Sequence, residues 1–145
     1  MEENKMGWKD KKPNNMYTIP TSLDNDFFKW WCIFLRPFVS LTDRETDVIA
    51  CFLKYRWKLS RSISDPAILD SMLMSDDIRS KVIEECHITL PHFYVVMSTL
   101  RKKKVIEDNR IVSKLIPNIR MDDNGVFKML ILFADKSVLE TATES

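Results

Sequence analysis

The sequence predicts a mainly α-helical domain with a C-terminal β-hairpin, on three observations. Apolar residues recur at helical spacing in successive segments between residues 24 and 103, and these segments open on residues that cap helices: Asp24, Thr42, Asp65, Ser75 and Thr89. After Ile106 the period changes to alternation around Asp122-Asp-Asn-Gly125, the turn chemistry of a hairpin. A length of 145 residues, 45% of them hydrophobic and 10% aromatic, suits one domain with a substantial core.

The first helix is expected near 24–36, capped by Asp24 and stopped by Pro37. It carries Phe27, Phe28, Trp30, Trp31, Phe34 and Leu35 around most of its girth. Such a helix is either buried on both sides or keeps one side for a partner. Adjacent Trp30 and Trp31 cannot share one face, which makes both candidate subunit contacts. In Leu41-Thr-Asp-Arg-Glu45, Thr42 and Glu45 have the capping-box spacing, so a helix should run over 43–58. Its core side holds Val48, Ile49, Cys51, Phe52 and Tyr55, while Asp47 and Lys54 face water. Asp65-Pro66 opens a short helix near 66–73, and Ser75 caps another at 76–86 with Ile78, Val82 and Ile83 inside. Asp76 and Asp77 complement the N-terminal dipole of that helix.

His87-Ile88-Thr89 is a brief turn. Thr89 then caps a helix over 90–103 with Pro91 in its first turn. Phe93, Val96, Met97 and Leu100 form its inner stripe, and Phe52, Ile83, Phe93, Met97 and Leu100 are expected to share one core. His92, Tyr94, Val95, Ser98, Arg101 and Lys102 lie outward. Strands at 110–120 and 126–133 should turn at Asn124-Gly125. Met129, Ile131 and Phe133 on one face and Leu130 and Leu132 on the other imply a strand covered on both sides.

Three regions follow: an extended arm over 1–23, a helical body over 24–136 and a polar tail over 137–145. The arm is too polar to fold alone, yet Trp8, Met16, Tyr17 and Ile19 suit it to filling pockets on a neighbouring subunit. The alternative is that it folds back over the aromatic helix.

The segment Ile83-Glu-Glu-Cys-His-Ile-Thr-Leu-Pro-His-Phe-Tyr-Val-Val-Met-Ser-Thr-Leu-Arg-Lys-Lys-Lys-Val-Ile106 resembles the winged helix-turn-helix superfamily. There, a recognition helix ends in Leu, basic residues, a turn and an aliphatic pair before the wing. The resemblance covers roughly residues 41–133, and Lys104 stands where the family usually has glycine. It implies a winged-helix body preceded by an extra helix, and it implies a fold more firmly than an activity. Leu41-Thr-Asp-Arg-Glu, Leu100-Arg-Lys-Lys-Lys-Val-Ile-Glu-Asp-Asn-Arg-Ile111 and Leu115-Ile-Pro-Asn118 together look like small proteins of crAss-like tailed phages of gut Bacteroidales. That resemblance implies a virion structural or assembly subunit of neck- or tail-ring type, with a phage-encoded transcriptional regulator as the alternative. The implied partners are other copies of itself and other virion proteins, with duplex DNA for the alternative. The implied locations are the virion and, during assembly, the host cytoplasm.

Charge and chemistry narrow the classes. Lys and Arg number 22 against 21 for Asp and Glu, so no global field draws the chain to polyanions. Locally, Arg101, Lys102, Lys103, Lys104, Arg110, Lys114, Arg120 and Lys128 outnumber the four acidic residues between 101 and 128, and with His92 and Ser98 they are the candidate DNA contacts. The same cations also complement a helix C-terminus. The outward face His92, Tyr94, Val95 and Ser98 lacks the Arg, Asn or Gln that reads base edges, and Asp76 and Asp77 would repel an approaching phosphate. Tyr94 and Val95 suit protein contact better.

Cys32, Cys51 and Cys86 lie in apolar helical patterns and read as reduced core thiols. Cys86, His87 and His92 lack metal-ligand spacing, and Gly7 and Gly125 cannot form a phosphate loop. Asp76-Asp77, Glu84-Glu85 and Asp122-Asp123 are better explained as caps, solvated face and turn than as acid-base machinery. The expectation is a non-enzymatic protein with no cofactor and no metal. Residues 1–15 have no signal-peptide pattern, and Lys29 and Arg36 interrupt the longest apolar run, so no membrane contact is expected.

Overall fold

The computed structural model describes residues 16–139. Its elements are α1 (Phe27–Phe34), α2 (Asp43–Ser60), α3 (Pro66–Leu73), α4 (Asp76–Cys86), α5 (Leu90–Lys102), β1 (Ile106–Glu107), β2 (Arg110–Ile111) and a 3-10 turn at Ser113–Leu115. The chain is mainly helical with a small antiparallel hairpin, as the sequence predicts at that level.

Local chemistry sets the helix starts. The Glu45 backbone N–H donates to Thr42 Oγ1 at 3.2 Å and the Thr42 N–H donates to Glu45 Oε1 at 2.8 Å, completing the capping box of α2. Asp65, Ser75 and Thr89 accept from Ala67, Ile78 and His92 at the heads of α3, α4 and α5. The start of α1 departs from expectation. Asp24 lies in a turn, and the cap position belongs to Asp26, whose carboxylate accepts from Thr21 Oγ1 at 2.7 Å and the Ser22 N–H at 2.8 Å. The helix also stops at Phe34, short of Arg36, because the residue before Pro37 is disfavoured in the helical region.

Both helices of the pair α4 and α5 end on a left-handed residue. At the end of α5 Lys104 has φ 61, its N–H donates to the Arg101 carbonyl at 3.0 Å, and the Val105 N–H reaches the Leu100 carbonyl at 3.0 Å. His87, with φ 53, does the same for α4, and Ile88 donates back to Ile83 at 3.3 Å. A side chain in this region costs about 1–2 kcal/mol, part of which glycine returns as unfolded-state entropy. Lys104→Gly should therefore stabilise the protein by about 0.5–1 kcal/mol in urea denaturation. A loss of stability would show that the Lys104 side chain contributes more than its backbone strain costs.

The hairpin is displaced from its expected place. Ile106 pairs with Ile111 and Glu107 with Arg110 around Asp108-Asn109, whose φ values of 54 and 59 make the primed two-residue turn. The Val112 N–H extends the pairing to the Val105 carbonyl at 3.0 Å. The strand expected over 110–120 fails because the 3-10 turn at Ser113–Leu115 and then Pro117 interrupt it. A turn does form at Asn124-Gly125, where Gly125 has φ 77, its N–H donates to the Asp122 carbonyl at 3.0 Å, and Asp122 donates to the Val126 carbonyl at 2.8 Å. No ladder continues from it. Residues 126–135 run without helix, turn or bend, and the expected two-sided cover is absent: Leu132 is 76% and Phe133 96% exposed.

Helix α2 is the central element, packing against α1, α3, α4 and α5. Its Val48, Ile49, Phe52 and Leu53 meet Phe28 and Cys32 of α1, Leu73 of α3, Val82 of α4, and Phe93, Met97 and Leu100 of α5, with Val105, Ile106, Ile111 and Leu115 closing the far end. Ile83 is only partly buried at the margin of this core. Asp47 and Lys54 are not free in water either, since Asp47 pairs with Lys29 at 3.0 Å and Lys54 with Glu85 at 2.7 Å.

Candidate functional site

The outer face of α5 is built by the packing of its inner one. Because Phe93, Val96, Met97 and Leu100 are drawn into the core, helical geometry turns His92, Tyr94, Val95 and Ser98 outward, and all four are exposed. Tyr94 is 56% and Val95 60% exposed, and Leu90 adds a third apolar side chain to this end of the helix.

Of the basic residues, Arg101, Lys102, Lys104, Arg110, Lys114, Arg120 and Lys128 are exposed. Lys104 and Lys114 line one shallow cleft of about 280 Å³ together with Phe38 and Val39. Lys103 is a correction to the expected set. Its Nζ donates to Glu45 Oε1 at 2.6 Å and to the Ser40 carbonyl at 2.5 Å, so it ties the end of α5 to the head of α2 and is spent on the fold. Burial would raise the Glu45 pKa, but the Lys103 hydrogen bond, the Thr42 N–H and Thr99 outweigh it and hold the carboxyl below its ordinary 4.5.

The chain matches no family model, no curated protein and no solved structure.

The aromatic helix divides its side chains. Trp31, expected to face a partner, instead donates its indole N–H to the Leu115 carbonyl at 2.7 Å and packs against the core. Trp30 stays partly exposed beside Phe34, with ring centroids 6.4 Å apart. In the arm, Met16, Tyr17 and Ile19 are exposed, and Trp8 lies outside the described residues.

Two features had no signal in the sequence. One is the uncovered run Met129–Phe133, anchored at its start by Phe127, whose ring meets Phe27 edge-on at 4.8 Å. The other lies on the α2–α4 seam. There the Cys51 thiol donates to Glu85 Oε2 at 3.0 Å and Lys54 donates to Oε1 at 2.7 Å. Partial burial pushes the Glu85 carboxyl up, but the donors Lys54, Cys51 and Tyr55 prevail and bring it down to about 2. The contact with Cys86 and burial push the Cys51 thiol upward. A period cannot announce partners 31 and 34 residues apart.

The cleft beneath α1, lined by Phe28, Leu53, Arg56, Trp57 and Ile116 among others, holds about 200 Å³. That is less than the roughly 300–1,000 Å³ of ordinary ligand pockets and closer to a socket for one side chain. Cys32, Cys51 and Cys86 are buried and unpaired. Among the described residues no group of His, Cys, Asp or Glu could hold a metal ion, and no helix is long and apolar enough to cross a membrane.

Proposed function

We propose that this chain is a non-enzymatic assembly module that works by protein–protein contact through a winged helix-turn-helix body. The order helix, left-handed turn, helix and two-residue hairpin over residues 76–111 supports the winged-helix reading, with α5 as recognition helix and β1–β2 as a short wing. The observation that carries the assembly reading is the uncovered apolar run Met129–Phe133. Adjacent exposed apolar residues on a small domain mark an interaction surface, and the Tyr94–Val95 face adds a second apolar contact without base-reading groups. The resemblance to small tailed-phage proteins suggests a neck or tail ring as the setting.

The second reading is a DNA-binding regulator, favoured by Lys104 and Lys114 on one cleft and by Arg101, Lys102 and Arg110 exposed beside it. Binding of a genomic fragment library separates the two. Only about four or five of these cations can reach phosphates together, so affinity should fall roughly a few hundredfold between 50 and 200 mM salt, with no preferred sequence. A selective site held at nanomolar affinity in physiological salt would make the regulator the better reading.

A further inference from the structure

We propose that Cys86 and Cys51 are a redox pair, which hydrogen peroxide oxidises to a disulfide joining the end of α4 to the middle of α2. The inference goes beyond the assembly reading and does not depend on it.

The two sulfurs meet on the α2–α4 seam. Side chains of an α-helix lean toward its N-terminus, so that of Cys51 leans back over the turn that holds Asp47. Cys86 Sγ approaches the same turn from α4, 3.6 Å from the Asp47 carbonyl oxygen. That carbonyl is the one to which the Cys51 N–H bonds within the helix. The thiols are therefore neighbours across the seam, although 35 residues apart in sequence.

Their surroundings assign different roles. Cys51 has one thiol proton and two acceptors within reach, Glu85 Oε2 at 3.0 Å and the Cys86 sulfur. Turned toward Cys86, that proton stabilises the thiolate. The effect outweighs burial and the carboxylates of Asp47 and Glu85, and it holds the Cys86 thiol below its ordinary 9.0. The Arg44 guanidinium adds to it, with Nη1 donating to the Cys86 carbonyl at 3.1 Å. Cys86 is thus the nucleophile, and Cys51, which stays protonated beside it, is the resolving thiol. Cys86 is also the last residue of α4 and 9% exposed, within reach of a molecule as small as a peroxide. A helix end can take up the shift that an S–S bond of about 2 Å requires. Cys32 is an internal control, since it is 0% exposed and burial pushes its thiol up to about 12.

The chemistry balances with peroxide as the only co-reactant. The Cys86 thiolate attacks one peroxide oxygen and the O–O bond breaks. The hydroxide that leaves takes a proton and becomes water, and Cys86 is left as a sulfenic acid. The Cys51 sulfur then attacks the sulfenic sulfur. The S–O bond breaks as the S–S bond forms, and the departing hydroxide takes the Cys51 proton as a second water. Together the two thiols lose two electrons, and one hydrogen peroxide is reduced to two waters. Closed, the bond ties the end of α4, just before the turn into α5, to the central helix.

The test is peptide mass mapping of the full chain after treatment with hydrogen peroxide at about 1 mM, with alkylation of the thiols that remain. In the wild type the Cys51 and Cys86 peptides should be cross-linked, two hydrogens lighter than their sum. Dithiothreitol should part them, while Cys32 is recovered alkylated. In Cys51→Ser, and equally in Cys51→Ala, Cys86 should stop at the sulfenic acid and be captured by dimedone. In Cys86→Ser, Cys51 should be recovered unoxidised. Recovery of wild-type Cys51 and Cys86 both alkylated would overturn the pair. A disulfide that includes Cys32 would do so as well, because it would have formed in an unfolded chain. Dimedone on Cys51 in Cys86→Ser would overturn the assignment of nucleophile and resolving thiol.

Discussion

Met97→Asp should leave no folded domain at 25 °C. Met97 is 1% exposed on the inner stripe of α5, in the core that also holds Phe52 and Phe93, whose rings lie 6.2 Å apart. A carboxylate without a partner in such a site costs several kcal/mol, most or all of the 5–15 kcal/mol that holds a domain of this size together. Met97→Leu, which nearly keeps the volume, should cost less than about 1.5 kcal/mol. Far-ultraviolet circular dichroism and a thermal melt read both. A cooperative melt for Met97→Asp near the wild-type midpoint would show that α5 is not seated as described.

Glu45→Ala should destabilise by about 2–3 kcal/mol. The side chain is 5% exposed and serves two structures at once, receiving the Thr42 N–H of the capping box and the Lys103 ammonium. Loss of the cap costs about 1 kcal/mol, and loss of a charge-assisted, largely buried bond adds about 1.5. Glu45→Gln keeps the shape and should recover part of the loss.

The same carboxyl gives a pH signature. The folded pKa values of Glu45 and Glu85 both lie below the ordinary 4.5, so the folded state prefers their ionised forms. The stability they contribute is fully present above about pH 5 and is lost as pH falls from 4.5 toward 2. Urea midpoints should decline across that window, and more shallowly in Glu45→Gln and Glu85→Gln. A wild-type midpoint constant from pH 5 to pH 2.5 would contradict both hydrogen-bond networks.

What the sequence disclosed follows from the range of each interaction. Thr42, Asp65, Ser75 and Thr89 act on backbone groups two or three residues away, so helix starts could be read directly. The hairpin misled because Asn124-Gly125 governs only the bend, whereas a ladder needs two flanks that can pair. Asp108-Asn109 adopts a primed turn between strands of two residues, too short to show alternation. Lys103 and Glu45 are 58 residues apart, and Trp31 and Leu115 are 84 apart, so only the packed chain assigns those side chains to the fold instead of to a partner. The outward face of α5 was legible because one helical period places both its sides. The uncovered run 129–133 was not, since an apolar sequence does not state whether its cover lies in the same chain.

The bond from Trp31 to Leu115 also orders events during synthesis. At 5–20 residues per second, the ribosome makes the acceptor roughly 4–17 s after the donor. Helix α2 follows α1 closely and can cover Phe27, Phe28 and Cys32 early. The Trp31 ring must wait for the chain beyond the hairpin, which is nearly the last part of the core to be made. Through that interval the nascent chain carries an indole N–H without its acceptor, and the helix translated first among those described is the last to be locked in place.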